Sequence, residues 1–439
     1  MSAAFHAREA ALDTLTRCRR DSAWSGAALD SAIKKYGLDR RDAAFASRLV
    51  LSVLENTLYC DFLIDSFSAA KLEPQVRDIL RLGVVQLLFM DRVPDSAAVN
   101  ESVALCRQKG RQRAAGLVNA VLRRIAAQRH ELPEIPGKGS AAYLAARYSH
   151  PLWLAELLTA RRGYDFTEAF FAANNQTAPL SIQVNTLKVT SSDYRRALER
   201  AELPFEVPPE PEDCLLLRGG AAQELPGFQE GLFYVQDRAA RLAVDFAEPK
   251  PGMRVLDACA CPGGKSFAAA MHMKNSGRIL ACDIHEKKLG LLESGAARLG
   301  IDIIQTRAMD ARTFAPELAE AFDLVLADVP CSGLGVIRKK PEIRYKAREA
   351  LSALPEIQRA ILENVSRYVA PGGVLLYATC TVLEEENEAV VRGFLEEHRD
   401  FSPEPIATKT IDAPAGMMTF WPQLDGTDGF FAAKLKKNK

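Results

Sequence analysis

The stretch Arg254–Ser266 reads RVLDACACPGGKS. A short apolar strand, Arg254–Ala258, runs past an acid into a turn of small residues and then into a helix. Strand, tight turn and helix in that order form the repeating unit of a parallel sheet. Gly263 and Gly264 let the backbone approach a ligand closely, and the helix that follows offers its N-terminal amides. Gly264-Lys265-Ser266 mimics the end of a P-loop. That motif needs a glycine five positions before Gly264, where Cys259 stands, and a dinucleotide G-x-G-x-x-G is also absent. Both nucleotide readings are set aside.

Outward from this stretch the pattern repeats. Strands are expected at Arg278–Asp283, Ile301–Thr306, Phe322–Asp328, Gly373–Thr379 and Gly429–Leu435, with helices between most of them. Near-continuous apolar strands separated by helices predict a doubly wound, Rossmann-like α/β domain whose ligand lies at the carboxyl ends of the strands. Those ends carry Asp283, fitted to bind ribose hydroxyls or to cap a helix, and Asp310, fitted to an adenine edge or again to a cap. They also carry Asp328-Val329-Pro330-Cys331-Ser332-Gly333 and Thr379-Cys380-Thr381. In the usual doubly wound order the fourth and fifth strands are neighbours, so Cys331 and Cys380 are expected to open onto one pocket beside Asp328. No metal is expected: there is no C-x-x-C pair, and Cys259-x-Cys261 has no matching partner pair. Arg338, Lys339, Lys340 and Arg344 lie after the fourth strand, where they would grip phosphates or form a solvated loop. Glu385, Glu386 and Asn387 open a helix after the fifth strand, as a cap or with an active role.

Ahead of this domain, residues 1 to about 130 read as helices only, with faces at Leu49, Val53 and Leu54, along Ile79–Met90, and at Leu117, Val118, Val121, Leu122 and Ile125. Pro94 with Asp95-Ser96 is expected to stop one helix and cap the next. Glu131–Ser140, with two prolines and two glycines, reads as a linker. A small α+β segment follows, with a helix around Trp153–Arg162, a strand at Ser181–Leu187 and a helix at Ser191–Glu202. The division is therefore 1–139, 140–230 and 231–439.

The chain of 439 residues balances 56 Lys/Arg against 56 Asp/Glu. Bulk positive charge is thus no basis for nucleic-acid binding. The distribution is uneven: residues 1–140 hold 21 Lys/Arg and 16 Asp/Glu, and no acid lies between Ser102 and His130. Arg107, Lys109, Arg111, Arg113, Arg123, Arg124 and Arg129 fall in that stretch, as a phosphate-binding face or a solvated helix pair. Nine unpatterned cysteines exclude a disulfide framework. No signal peptide or membrane span is read, so a cytoplasmic protein with free thiols is expected, and separately a monomer.

The motifs Asp257–Lys265, Asp328–Gly333 and Thr379-Cys380 resemble those of the S-adenosylmethionine-dependent RNA cytosine-5 methyltransferases. Over its full length the chain is similar to the NusB-domain-containing (Sun/Fmu) members that act on small-subunit ribosomal RNA. Further matching residues are Val99-Asn100-Glu101, Leu117–Arg123, His150-Pro151 with Trp153, Gln183–Thr186, Val235-Gln236-Asp237, Glu385-Glu386-Asn387 and Gly426–Phe431. The resemblance implies an all-α NusB-like RNA-binding domain, a connector and a catalytic domain. It implies that Cys259, Ala260, Cys261, Pro262, Gly263, Gly264, Lys265, Asp283, Asp310 and Asp328 contact or frame S-adenosylmethionine. Cys380 corresponds to the nucleophile, and Cys331 to the cysteine that assists release. Cys261 stands where alanine is common, and Lys340 and Tyr345 replace the more usual His/Asn and Trp.

The implied reaction is methyl transfer to carbon 5 of a specific cytidine in 16S ribosomal RNA, through a Cys380 adduct at carbon 6. Asp328 would bond the N3/N4 edge of an extruded base. DNA cytosine methyltransferases use the cysteine of a Pro-Cys pair, which makes Cys331 the competing nucleophile. Transfer RNA as substrate and a non-catalytic RNA-binding role are the alternatives.

Overall fold

The computed structural model describes residues 3–21 and 23–439. They form two compact units, Met1–Gln176 with Ile337–Lys346, and Thr177–Val336 with Ala347–Lys439.

The first unit is helical: α1 (Ala3–Asp21), α2 (Ser25–Tyr36), α3 (Arg40–Phe67), α4 (Pro74–Phe89), α5 (Asp95–Gln108), α6 (Ala115–Ala127), α7 (Ala141–Tyr148), α8 (Leu152–Arg162) and α9 (Tyr164–Asn174). The expected apolar faces meet in one core, with Leu49 and Val53 of α3, Ile79 and Val84 of α4, and Val118, Leu122 and Ile125 of α6 buried together. Pro94 takes the cap position of α5 without a side-chain bond. Asp95 is instead the first helical residue, where its charge suits the positive helix end. Glu131–Ser140 carries neither helix nor strand. The acid-free stretch is not single-signed in space. Lys109 turns to Glu9 and Asp13, Arg111 to Glu73 and Arg129 to Asp95, while Arg107, Arg113, Arg123 and Arg124 remain exposed.

Helix α3 breaks its helical geometry at Asn56 (φ −128°, ψ 20°). A helix interrupted in this way frees main-chain groups that must find other partners. Tyr59 N–H, which would ordinarily reach the Glu55 carbonyl, donates to Ser149 Oγ at 3.1 Å. The freed carbonyls are met by a distant piece of chain, Ile337–Lys346, which arrives from the middle of the second unit's sequence. Arg344, 0% exposed, donates from Nη1 to the carbonyls of Glu55 (3.0 Å), Tyr148 (3.2 Å) and Ser149 (3.4 Å) and to Asn175 Oδ1 (2.8 Å). Tyr345 OH donates to Leu54 O at 2.5 Å, and Glu342 accepts from the amide and hydroxyl of Ser25 at 3.1 and 2.9 Å. The expectation that Arg344 grips phosphates is therefore corrected: its guanidinium is buried within the helical unit, with Nη1 turned to main-chain carbonyls. Lys340 lies over the Trp24 ring.

The second unit has two sheets. In the smaller, β1 (Leu180–Val184), β2 (Phe205–Glu206), β3 (Cys214–Leu217) and β4 (Phe233–Val235) pair antiparallel in the order β2-β3-β1-β4, with α10 (Ser191–Arg200) between β1 and β2. The larger contains β5 (Arg254–Asp257), β6 (Arg278–Asp283), β7 (Ile304–Ala308), β8 (Phe322–Asp328), β9 (Val369–Thr379) and β10 (Phe401–Pro403). After a two-strand hairpin, β11 (Ile406–Ala407) and β12 (Asp412–Ala413), come β13 (Met417–Phe420) and β14 (Phe430–Lys437). The order is β10-β14-β9-β8-β5-β6-β7, with β13 beside β14. Strands β5 to β9 run parallel, and β10, β13 and β14 are antiparallel additions.

Both faces are covered, as the continuous apolar strands require. On one face α11 (Arg238–Ala247), α12 (Gly264–His272) and α13 (Glu286–Leu299) bury Leu242, Phe267 and Leu292 against Val255, Leu324 and Leu376. On the other, α14 (Leu354–Ser366) and α15 (Glu388–Glu397) bury Leu362 and Phe394 against Leu256, Val325 and Tyr377. The third parallel strand begins at Ile304 rather than Ile301, because Ile301 N–H closes the end of α13 onto Ala296 O. Among the described residues no helix is long and apolar enough to cross a membrane.

Removing the charged donor takes a bond each from Glu55 O at the α3 break, from Ser149 O and from Asn175 Oδ1, while Tyr148 O keeps that from Asn175 Nδ2, each such bond contributing about 1.5–3 kcal/mol. Arg344→Met is expected to destabilise the helical unit by at least about 3 kcal/mol, read as a lowered thermal transition of that unit by circular dichroism.

Candidate active site

The site is built by the β8–β9 ladder. Its parallel register pairs Leu326 with Leu376 and Asp328 with Ala378, and Val329 N–H extends it by donating to Ala378 O at 3.0 Å. Both strands stop at one level, and the loops beyond them bring Cys331 Sγ and Cys380 Sγ to 3.2 Å. The Pro-Cys loop then returns to the same place. Gly335 N–H donates to the Cys380 carbonyl at 3.0 Å, and Gly429 N–H donates to Gly335 O at 2.8 Å. A Cβ on Gly335 would lie 1.8 Å from Gly429 O, so only glycine fits there. The hydrogen bond with Cys380 and burial both push the Cys331 thiol well above its ordinary value, and the Glu386 and Asp328 charges add to this.

Asp328 closes the site on the side of β5. Its Oδ2 accepts from Lys265 Nζ at 2.5 Å, and the ammonium also lies over the Phe430 ring, 5.0 Å from its centroid. Burial works against the lysine charge, but Asp328, with help from Asp257 and Cys380, raises its pKa, so Lys265 remains an ammonium. Lys265 is placed there by the β5 turn. Ala258 N–H donates to Leu326 O and Ala260 N–H to Cys282 O, and Gly263 adopts φ +113°, a left-handed conformation that lets α12 start at Gly264. Asp257, at the floor of this turn, is fully buried and accepts from Ser266 Oγ at 2.7 Å. Burial raises its carboxyl to about 6 against the opposing pull of Ser266 and Lys265.

Along the same sheet edge, Asp283 accepts from the His285 amide at 2.8 Å at the head of α13. Burial and the Asp283 carboxylate raise the Cys261 thiol to about 11. Burial and the surrounding acids also hold the Cys259 thiol up. Asp310, beyond β7, takes the Arg312 guanidinium on both oxygens and the Arg312 amide at 2.9 Å. The arginine holds its carboxyl below the ordinary range. The sequence-expected residues thus assemble in one unit, with Asp328, Cys331, Cys380 and Lys265 as a cluster, and the Cys259–Gly264 turn, Asp283 and Asp310 spread along the carboxyl edge of β5, β6 and β7.

Gln358 escaped the sequence reading, and Glu386 and Thr381 were named there without the partners they have around the cysteines. Asn387 heads α15 without a side-chain cap bond. Its amide instead binds Thr379 Oγ1 at 2.5 Å and the Thr381 carbonyl at 3.1 Å. The motif had been visible, but its targets are close only after folding.

The donor set suits S-adenosylmethionine. Carboxylates at successive strand ends match its ribose hydroxyls and amino groups, and the glycine turn leaves the α12 N-terminus open to its charged end. Parallel strands in the order β7-β6-β5-β8-β9 place this edge where a doubly wound domain binds its ligand, and similarity to known proteins makes that domain an S-adenosylmethionine-dependent methyltransferase. The 16S rRNA methyltransferase RsmB/F family matches residues 244–436, the NusB family residues 6–127, and the RsmF/B-like ferredoxin-like domain residues 150–223. A Bacillus subtilis protein described as a probable ribosomal RNA small subunit methyltransferase B is 33% identical over 98% of this chain and 98% of its own. The ribosomal RNA small subunit methyltransferase B of Erwinia tasmaniensis is 33% identical over 93% of both. The crystal structure of PH0851 superposes with a TM-score of 0.81 at 28% identity, covering 100% of this chain and 99% of that one. A methyltransferase homologue from Pyrococcus horikoshii gives 0.60 at 26% identity, over 69% of this chain and 100% of its own. The chain belongs to the ribosomal RNA small subunit methyltransferase B family.

The raised Asp257 carboxyl has a consequence for stability. Its folded value of about 6 exceeds the ordinary 3.8, so the stability contributed by its bound proton is complete below the ordinary value and is lost as pH rises through the folded one. A shift of this size corresponds to about 3 kcal/mol. Relative to Asp257→Asn, the wild-type unfolding free energy is expected to fall between pH 4 and pH 7 by about 3 kcal/mol, checked by paired denaturant titrations across the range.

Proposed function

We propose that the chain methylates carbon 5 of a cytidine in small-subunit ribosomal RNA, with Cys380 as nucleophile and Cys331 as the residue that assists its release. The observation that carries this reading is the pair of sulfurs 3.2 Å apart at adjacent strand ends, beside the Asp328–Lys265 pair. Carbon 5 of cytosine is too weak a nucleophile to take a methyl group unaided. Addition of the Cys380 sulfur to carbon 6 moves the ring electrons to carbon 5 and makes it reactive. Asp328, oriented by Lys265, accepts from the exocyclic amine of the base and holds the N3/N4 edge. S-adenosylmethionine, when bound, supplies the electrophilic methyl.

In release a water molecule acts as the base that takes the carbon-5 proton, the 5,6 double bond re-forms, and the Cys380–carbon 6 bond breaks with its electron pair returning to the Cys380 sulfur. Cys331 is suited to assist because it remains a protonated thiol in contact with the sulfur that must leave. The resemblance of Thr379-Cys380 to the family's motif favours Cys380 over the Pro-Cys alternative. Cys259–Gly264, Asp283 and Asp310 frame the methyl donor. Residues 1–139 form the RNA-binding domain, with Arg107, Arg113, Arg123 and Arg124 exposed for phosphate contact. Residues 140–230 form the connector and 231–439 the catalytic domain.

Labelled methyl from S-adenosylmethionine is expected to appear as 5-methylcytidine in unmodified small-subunit RNA. Label in transfer RNA alone would move the substrate assignment, and donor binding without label on either RNA would remove it. Cys380→Ala is expected to abolish transfer with no covalent RNA species. Cys331→Ala should accumulate an RNA-linked protein band that survives denaturant, and the opposite pattern would exchange the two roles.

A further inference from the structure

The residues that hold the two cysteines form a second construction, made by the adjacent pair Glu386-Asn387. Glu386 is 1% exposed although it bears a carboxylate. Its Oε2 accepts from the Ser332 amide at 2.8 Å and from Gln358 Nε2 at 2.8 Å. The same Gln358 nitrogen donates to the Pro330 carbonyl at 3.0 Å. Both neighbours of Cys331 are therefore fixed through one carboxylate. Asn387 treats Cys380 in the same way, since it accepts from the Thr379 hydroxyl at 2.5 Å and donates to the Thr381 carbonyl at 3.1 Å. The two loops are then locked to each other, with Ser332 Oγ and Thr381 Oγ1 2.7 Å apart and Glu386 Oε1 3.5 Å from Thr381 Oγ1. Tyr377 OH steadies the carboxylate's own main chain by donating to Glu386 O at 2.6 Å.

We infer that Glu386 and Asn387 are positioning residues, one for each cysteine, which together set the sulfur–sulfur spacing. A buried carboxylate is costly unless fully hydrogen-bonded, and here its bonds converge on the segment Pro330–Ser332. A side chain merely completing the core would be cheaper as an apolar residue. Neither residue reaches substrate, and both act through the cysteines. The Glu386 charge additionally helps keep the Cys331 thiol protonated.

The inference rests on the cysteine roles proposed above and is tested with the full chain, small-subunit RNA and S-adenosylmethionine on denaturing gels. Displacement of a reacting group by about 1 Å costs roughly 10²-fold in rate. Glu386→Ala is expected to lower turnover by about that factor while accumulating the denaturant-stable adduct, as Cys331→Ala does. Asn387→Ala should lose transfer and adduct together, as Cys380→Ala does. Glu386→Gln, which keeps an acceptor oxygen, should recover most of the turnover. A second readout needs no RNA: phenylarsine oxide captures two thiols held close together. The part of that capture lost in Cys380→Ala should weaken about tenfold or more in both alanine variants, while donor binding by calorimetry stays unchanged. Unaltered capture in both variants, or identical adduct behaviour in the two with the cysteine controls behaving as assigned, overturns the inference. If Cys331→Ala itself gives no adduct, the cysteine roles fail, and arsenical capture alone then decides whether the pair sets the spacing.

Discussion

Two hydrogen-bonded strands, β8 and β9, impose the constraint on which the rest of the site depends. Because they are parallel and in register to Asp328 and Ala378, whatever follows each must emerge at the same edge and the same height. An antiparallel pair would send the two cysteine loops to opposite ends of the sheet. The close approach of Gly335 to Gly429 and the bond from Gly335 to the Cys380 carbonyl are refinements of a proximity that the ladder has already enforced. The Lys265–Asp328 pair depends on it as well, since β5 is the strand on the other side of β8.

Charge in this site is buried and compensated locally. Lys265 is nearly inaccessible, yet it keeps its proton because Asp328 is directly opposed to it. Asp257 has a hydroxyl partner and a lysine at greater remove, and its carboxyl rises accordingly. Three acids at strand ends therefore differ in character. Asp257 belongs to the floor of the turn, Asp328 is half of an ion pair, and Asp310 is satisfied by an exposed arginine. Such differences come from depth and from partners distant in sequence, which residue type alone does not express.

The alternation of apolar strands and helices made the doubly wound domain legible, and Arg278–Asp283 and Phe322–Asp328 have the bounds expected for them. The meeting of Cys331 with Cys380 was legible too, because the fourth and fifth strands are neighbours in the usual doubly wound order. Arg344 was misread for a physical reason: a run of basic residues looks like a solvated or phosphate-binding loop unless one knows that a break in α3 has left carbonyls in need of a donor. Glu386 and Asn387 were seen as a helix opening, since their position before α15 suits a cap. Their partners Ser332, Gln358, Thr379 and Thr381 lie on three other segments, and no local pattern announces such a convergence. Helices α7 and α9 went unread because Ser140, whose side chain caps α7 by accepting from the Tyr143 amide, was taken into the linker Glu131–Ser140, and α9 follows Gly163 with no side-chain cap.

The segment Ile337–Lys346 has a temporal implication. Domains of a growing polypeptide generally fold as they leave the ribosome, with the N-terminal one first. Here the helical unit encloses a piece of chain encoded far downstream, so Leu54 O and Glu55 O at the break meet their donors only once residue 345 has been synthesised. The helical unit cannot reach its final state before β5 to β8 of the other unit exist. Maturation of the first part of the chain is thereby made contingent on the second, and a prematurely terminated product carries an unfilled seam.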